Sequence, residues 1–236
     1  MIKNCLSNFY KRRIDSLNNL DLKNVLKRKN PYLFRATGIT NAPELIEGIL
    51  TAHSTSSDET IFGEEFFEPI FKVITGAQIA GIRGVDFTIE TGDSFQAISL
   101  KSGPNAFNSD QVLKLNSNFE DLERSLKATL RSVRKTFIPV MGCGYGKTNS
   151  PPSRKRKYYK LAGQAFWNEI TGDPDFYLKL IELMRDKPDK HYEIFKSAWD
   201  RAVNRFVKQF SQDFCDDDGN IMWSKLVQYN SGNIKK

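Results

Sequence analysis

The sequence predicts an α/β fold in which a central sheet is flanked by helices, with further helices at both ends of the chain. Three observations predict it. Two short alternating segments, "GVDFTIE" and "SFQAISLK", are separated by "TGD" and read as a β-hairpin. A continuous apolar run from Thr136 to Met141 reads as a buried strand. Stretches with apolar residues at helical spacing precede, separate and follow these strands. The 236 residues suffice for one domain with a sizeable core. The expected division is basic N-terminal helices over 1–29, an α/β core over 30–162 and a mainly helical part over 163–236.

Residues 1–29 place Phe9, Ile14, Leu17, Leu20 and Leu22 among eight Lys and Arg, which predicts one or two amphipathic helices with a basic face. "NPYLFRATGIT" reads as a connector. Leu45, Ile46, Ile49 and Leu50 form a helical stripe over Pro43–Ser54, and a second helix is expected from near Ser57 to Gly76, kinked or divided at Pro69. With the hairpin centred on Gly92 and Asp93, Asp86 falls opposite Ser99, and directly opposed residues share a face. Lys101 is next along that face, while Val85, Phe87, Ile98 and Leu100 take the other, toward the core. "SGPNAFNSDQ" is a polar loop. A long helix follows over about Ser109–Lys135, then the apolar strand, a basic loop "KTNSPPSRKRKYYK" and a strand at Tyr158–Leu161. "GQAFWNEITG" is a short helix, "DPDFYLKLIELMRD" carries a Pro-started helix signature, and His191–Phe214 presents Phe195, Trp199, Phe206 and Phe210 at helical spacing.

Composition narrows the function. No segment approaches the ~18 apolar residues of a membrane span, and "MIKNCLSNFYKRR" lacks the apolar stretch of a signal peptide, so the cytoplasm is expected. Cys5, Cys143 and Cys215 lie far apart without metal-ligand spacing, and their odd number argues against a disulfide framework. The net charge of +7 favours a polyanionic partner. The segment "PVMGCGYGKT" ends like a nucleotide-binding P-loop, but counting back from Lys147 puts Met141 where its first glycine belongs. No nucleoside triphosphate is expected. Aligning Gly219 of "DDDGNIMW" with the glycine of a calcium loop leaves Lys225 at the glutamate position, so that stretch reads as a turn.

The hairpin gathers the chemistry. An acid on one strand followed by x-x-Lys on its neighbour is a way to build a phosphodiesterase site. Carboxylates hold a divalent cation, and the lysine orients the attacking water and offsets charge developing on the phosphate. Here Asp86 is followed, after 12 residues, by Ser99-Leu100-Lys101. The two histidines, His53 and His191, do not supply the His-based motifs of other nuclease types.

Beyond this pair, the chain resembles the PD-(D/E)xK type II restriction endonucleases. The stretches "NPYLFRA", "ETIFG", "GVDFTI", "ISLKSGPNAFNSDQ", "GCGYGK", "GQAFWNEITGD" and "DGNIMWSKL" carry the resemblance, in that order, over about residues 30–229. It implies a restriction-endonuclease-like mixed central sheet with Thr136–Gly142 as a central strand, and a single nuclease domain. It also implies sequence-specific hydrolysis of double-stranded DNA leaving 5′-phosphates. Mg²⁺ is the implied cofactor, with Mn²⁺ as an alternative and Ca²⁺ as a non-catalytic substitute. A homodimer in a prokaryotic cytoplasm, paired with a cognate DNA methyltransferase, completes the expectation. The implied metal ligands are Asp86, Glu68 and Leu100, and the implied catalytic set is Asp86, Ser99, Lys101 and Glu68. The family usually has Asp or Glu where this chain has Ser99, so the second acid is sought on the preceding helix. Glu68 is favoured, with Glu64, Glu65 and Asp110 as further candidates. Asn105, Asn108, Ser109, Gln111 and Lys114 are expected to read DNA, through amides suited to base edges and a helix N-terminus suited to phosphate. Lys147, Arg154, Lys155 and Arg156 are expected on backbone phosphate. The rival readings are a repair or junction nuclease of the same fold and an inactive DNA-binding protein, the latter kept open by Ser99.

Overall fold

The structure, a computed structural model, describes residues 1–81, 84–105, 107–184 and 188–232. The chain divides into two compact units, one of residues 1–6 with 59–186 and the other of 7–58 with 187–236.

The first unit holds the sheet. Its strands are β1 (Gln78–Ile79), β2 (Phe87–Glu90), β3 (Ser94–Lys101), β4 (Thr136–Cys143) and β5 (Tyr159–Ala162), in spatial order β1-β2-β3-β4-β5. The β1–β2 and β2–β3 pairs are antiparallel, whereas β3–β4 and β4–β5 are parallel, so the sheet is mixed. The hairpin register is the expected one, with Phe87 opposite Ile98 and Thr88 opposite Ala97. Both faces of the sheet are covered, as interior parallel strands require, and this is why β4 reads as an unbroken apolar run. One face packs Phe87, Ile98, Leu100 and Val140 against Phe66, Ile70, Phe71, Phe166 and Trp167. The other packs Phe95, Ala97 and Met141 against Leu115, Phe119 and Leu122. Val85 joins this second cluster, not that of Phe87 as expected, because β2 begins only at Phe87 and the chain no longer alternates before it.

Helix α6 (Ser109–Ser132) supplies the second face. Asn108 and Gln111 start it as a capping box, each side chain accepting from the other's backbone N–H. It ends three residues before the expected Lys135, because Arg134 takes a left-handed φ of 55°. The other face receives α5 (Glu68–Thr75), α7 (Gln164–Thr171) and α8 (Phe176–Leu183). Pro174 precedes the N-cap of α8, Asp175, and so lies outside the helix it was expected to start.

The second unit is helical. It contains most of α1 (Ile2–Asn18) and α4 (Ala42–Phe62), with α2 (Leu22–Leu26), α3 (Pro31–Ala36), α9 (Pro188–Phe214) and α10 (Trp223–Ser231). Leu17, Leu22, Leu45, Ile46, Ile49, Phe206, Phe210 and Phe214 share its core. Phe206 is core, and Phe195 and Trp199 pack against it, as their spacing suggested. His53 meets the Ser16 hydroxyl at 3.2 Å and His191 stacks on Tyr10 at 4.8 Å. The expected connector is in part helix α3: Asn30 caps it by accepting from Tyr32 and Leu33, and Pro31 occupies its first turn. The turn after α9 is built on Asp216, which accepts from the N–H groups of Asp218 and Asn220. No helix of the described residues is long and apolar enough to cross a membrane.

Candidate functional site

The expected break near Ser57 is absent, and α4 runs unbroken to Phe62. The irregularity falls later, as a π-helical turn over Gly63–Phe67 that leads into α5 at Glu68. Pro69 explains it. Its ring would clash with the carbonyl four residues back in a regular helix, and an extra residue in the turn relieves this.

Across from Glu68 lies the end of the hairpin. Beyond Phe87 the β2–β3 ladder gives way to a side chain, and the N–H of Leu100 donates to Asp86 Oδ2 at 2.7 Å. Lys101 Nζ donates to the same oxygen at 3.2 Å, and the Ser99 hydroxyl lies 3.4 Å from it. The expected convergence of Asp86, Ser99 and Lys101 is therefore present. Its setting differs from a solvated polar face, because α6 covers this side and Ser99 is only 1% exposed. Asp86 and Lys101 keep 28% and 29% of their side chains accessible.

A cleft of about 370 Å³ opens here, lined by Glu64, Glu68, Leu100, Lys101, Asn105 and Tyr145 among others. Glu68 feels the enclosure most. Burial, then the nearby carboxylate of Asp86, raises its pKa from 4.5 to about 7, with Lys101 opposing and Glu64 and Glu65 adding to the rise. Of the other candidate acids, Glu64 lines the cleft, whereas Glu65 and Asp110 do not. Asp110 is exposed in the first turn of α6.

The donors present suit a hard divalent cation. All three contacts to Asp86 fall on Oδ2, and no hydrogen bond among the described residues reaches Oδ1. The N–H and C=O of a strand residue point to the same edge, so the Leu100 carbonyl faces the side on which its N–H meets Asp86. Among the described residues no group of three His, Cys, Asp or Glu side chains could hold a metal. The oxygen donors available at this end of the hairpin are the carboxylates of Glu68 and Asp86 and the Leu100 carbonyl. Such a sparse oxygen set suits a hard divalent cation that retains waters and shares its coordination with substrate phosphate.

Of the expected DNA contacts, Asn105 is the one among the described residues that lines this cleft, and it is exposed. Asn108 and Gln111 use their side chains in the capping box, while Ser109 and Lys114 are exposed on the same helix start. Lys147 is exposed at the glycine-rich turn and lines a second, mostly apolar cavity of about 840 Å³. After Lys147 the chain runs to a bridge at Ser150 and into β5, so no helix N-terminus follows it as a P-loop requires. Arg154 and Lys155 are exposed. Arg156 donates to Ser150 and lies over the Tyr158 ring, and its half-buried position faces inward more than the loop composition suggested.

Sequence reasoning missed three contributors. Tyr145 lines the cleft and donates to Glu59 Oε1 at 2.9 Å. Lys160 donates to the Pro104 carbonyl at 2.7 Å. "GCGYGK" and "ETIFG", quoted for the resemblance, contain Tyr145 and Glu59 without giving either a role, and Lys160 was read only as part of a basic loop and strand.

The chain belongs to the type II restriction endonuclease EcoO109I family, whose model matches residues 1–192. It is accordingly a site-specific deoxyribonuclease with DNA as its substrate, the class read from the resemblance. Its mixed five-stranded sheet with flanking helices is compatible with the restriction-endonuclease-like α/β fold. Type II restriction endonucleases generally use divalent metal ions. No curated protein sequence matches the chain.

Proposed function

We propose that the whole chain acts as one Mg²⁺-dependent nuclease domain that hydrolyses double-stranded DNA at a specific sequence and leaves 5′-phosphates. It works as a homodimer in which each subunit cuts one strand, since dyad symmetry matches palindromic sites. Its biological counterpart is a DNA methyltransferase of the same specificity. The observation that carries the reading is that Glu68 from α5 and Lys101 from the hairpin line one cleft, with Asp86 bonded to Lys101 and close enough to raise the Glu68 pKa.

Glu68, Asp86 and the Leu100 carbonyl would hold the cation. Glu68 supplies the negative charge that Ser99 lacks, from a helix in place of a strand. Bound there, Mg²⁺ supplies activation of water and charge stabilisation at the scissile phosphate. Mn²⁺ would substitute, and Ca²⁺ would support binding without cleavage. Lys101, tethered to Asp86, orients the attacking water and offsets charge as it develops on the phosphate. Asn105, Ser109 and Lys114 lie beyond Lys101, where base edges and flanking phosphates would be read. Lys147, Arg154 and Lys155 add phosphate contacts, which fix register without carrying sequence information.

Digestion of an unmethylated plasmid of known sequence, with Mg²⁺ or with EDTA, followed by end sequencing, tests this. Discrete fragments with 5′-phosphates at one recurring sequence are expected with Mg²⁺ alone. Cleavage confined to branched or damaged DNA would move the reading to a repair nuclease of the same fold.

A further inference from the structure

Apart from Lys147, the glycine-rich turn after β4 touches no DNA in the proposed function, yet it holds the segment that follows Lys101. Gly144 N–H donates to the Lys101 carbonyl at 2.9 Å and Tyr145 N–H to the Ser102 carbonyl at 3.2 Å. The Tyr145 phenol lies against Gly103, where a Cβ would come within 2.4 to 2.9 Å of its hydroxyl oxygen and two ring carbons. The backbone reaches the ring only because residue 103 has no side chain. The Tyr145 hydroxyl then crosses to Glu59 at the end of α4, at 2.9 Å. The hydrogen bond to Glu59 raises the phenol pKa above its ordinary 10.

These contacts bracket a short piece of chain with Lys101 at one end and Asn105 at the other. Tyr145 is 49% exposed, so burial in the core does not account for its position. One side of its ring covers the backbone, while the residue lines the cleft.

We propose that Tyr145, oriented by Glu59, is a positioning residue that holds Ser102–Asn105 in place and thereby couples Lys101 to the DNA-reading segment. The inference rests on the reading of Lys101 as the catalytic lysine. A loosened segment would let Lys101 and Asn105 move independently. Cleavage at the correct site would slow, because small misplacements of a catalytic group are costly. Discrimination against near-matching sites would fall at the same time.

The test uses the full chain and a plasmid that the wild type cuts into discrete fragments. Single-turnover cleavage in Mg²⁺, end sequencing and a gel shift in Ca²⁺ are measured for Tyr145→Phe, Glu59→Ala, the double variant and Glu59→Gln. Tyr145→Phe and Glu59→Ala are each expected to slow cleavage about 10-fold and to raise the share of ends at one-mismatch sites. Affinity in Ca²⁺ should stay within about 2-fold. The double variant should be no slower than either single one, since both remove the same bond. Glu59→Gln, which retains an acceptor, should recover much of the rate lost in Glu59→Ala. A merely structural role would reduce the reacting fraction and leave the distribution of ends unchanged, and that result would overturn the proposal. Additive losses would do the same. Lys101→Ala separates the two levels of inference. If it is inactive while Tyr145→Phe matches the wild type, the coupling is wrong and the site stands; if Lys101→Ala cuts normally, the site beneath the proposal is wrong.

Discussion

Lys101 Nζ and the Leu100 N–H converge on one oxygen of Asp86, Oδ2, at 3.2 and 2.7 Å. The backbone bond fixes the carboxylate on the strand edge, and the ammonium occupies the same oxygen from the cleft side. Replacing the lysine therefore leaves the carboxylate anchored. This separates the two functions a nuclease site must perform, holding DNA and cutting it.

Lys101→Ala is expected to lower the cleavage rate about 10²-fold or more while keeping specific binding. Its charge matters most where negative charge builds on the phosphate, and ground-state affinity loses about one phosphate contact. The salt dependence of binding should then fall by about one unit of slope at most. Asp86→Asn should also lose cleavage, and its DNA affinity should no longer rise with divalent metal. A gel shift in Ca²⁺ beside a cleavage assay in Mg²⁺ measures both. Normal cleavage by Lys101→Ala, or loss of specific binding altogether, would count against the site.

Glu68 makes a pH-dependent prediction of opposite sign for stability and for metal binding. Burial and Asp86 raise its pKa from 4.5 to about 7 in the folded protein. A carboxyl whose pKa is raised by folding favours the fold while protonated. That contribution is complete below about pH 4.5 and is lost as pH rises through about 7. Without metal, ionised Glu68 therefore opposes folding at pH 8. Glu68→Gln in EDTA should match the wild type in melting temperature at pH 4 and exceed it at pH 8. The same variant should lose cleavage, because only the carboxylate attracts the cation. For the wild type, the Mg²⁺ concentration giving half-maximal cleavage should fall as pH rises through about 7. Full activity in Glu68→Gln would transfer its role to Glu64, the other candidate acid that lines the cleft.

The hairpin was legible in the sequence because strict alternation and a two-residue turn centre leave one register, and that register already sets Asp86 beside Ser99 and Lys101. Helix α6 and strand β4 were legible for similar reasons, a sustained helical stripe and an apolar run. The π-helical turn was not. Pro69 announced an irregularity, but its resolution upstream at Gly63–Phe67 depends on packing of Phe66 and Phe67 in the core. Nor were the two units legible. Two of their three boundaries, near residues 6 and 58, fall inside α1 and α4, where composition does not change, and one unit joins stretches from opposite ends of the chain. Tyr145 escaped because a tyrosine in a glycine-rich turn has no periodic pattern, and its partner Glu59 lies 86 residues away.

Ser99→Glu places an acid two residues before Lys101, and the structure predicts a conditional result. Ser99 is 1% exposed and its hydroxyl is 3.4 Å from Asp86 Oδ2. A glutamate there adds volume to a packed site, which typically costs about 1–3 kcal/mol. It also places a third carboxylate near Asp86 and Glu68. The metal-free variant should melt below the wild type, and the gap should narrow as Mg²⁺ is added, since a cation offsets the new charge. Thermal melts with and without Mg²⁺ measure this; a gap that Mg²⁺ leaves unchanged would show that the new carboxylate does not reach the metal site.

Gly142 and Gly48 should respond to alanine in opposite directions, and the comparison tests why the turn region carries so many glycines. Gly142 pairs with both neighbours in the sheet, opposite Leu100 on one side and Leu161 on the other. A Cβ there would come 2.2 to 2.7 Å from three atoms of the Phe166 ring, which is fully buried and stacks on Phe71. Neither ring can yield without displacing the core beneath α5 and α7. Gly142→Ala should therefore cost about 1–3 kcal/mol, the usual range for overpacking. Gly48 lies on the exposed side of α4, and a Cβ there meets nothing within 4 Å. Gly48→Ala should stabilise by roughly 0.4–1 kcal/mol, because alanine loses less backbone entropy on entering a helix. Chemical denaturation of each variant beside the wild type gives the two signs directly. A neutral Gly142→Ala would mean that Phe166 has room to move, and the close packing assigned to the end of β4 would have to be abandoned.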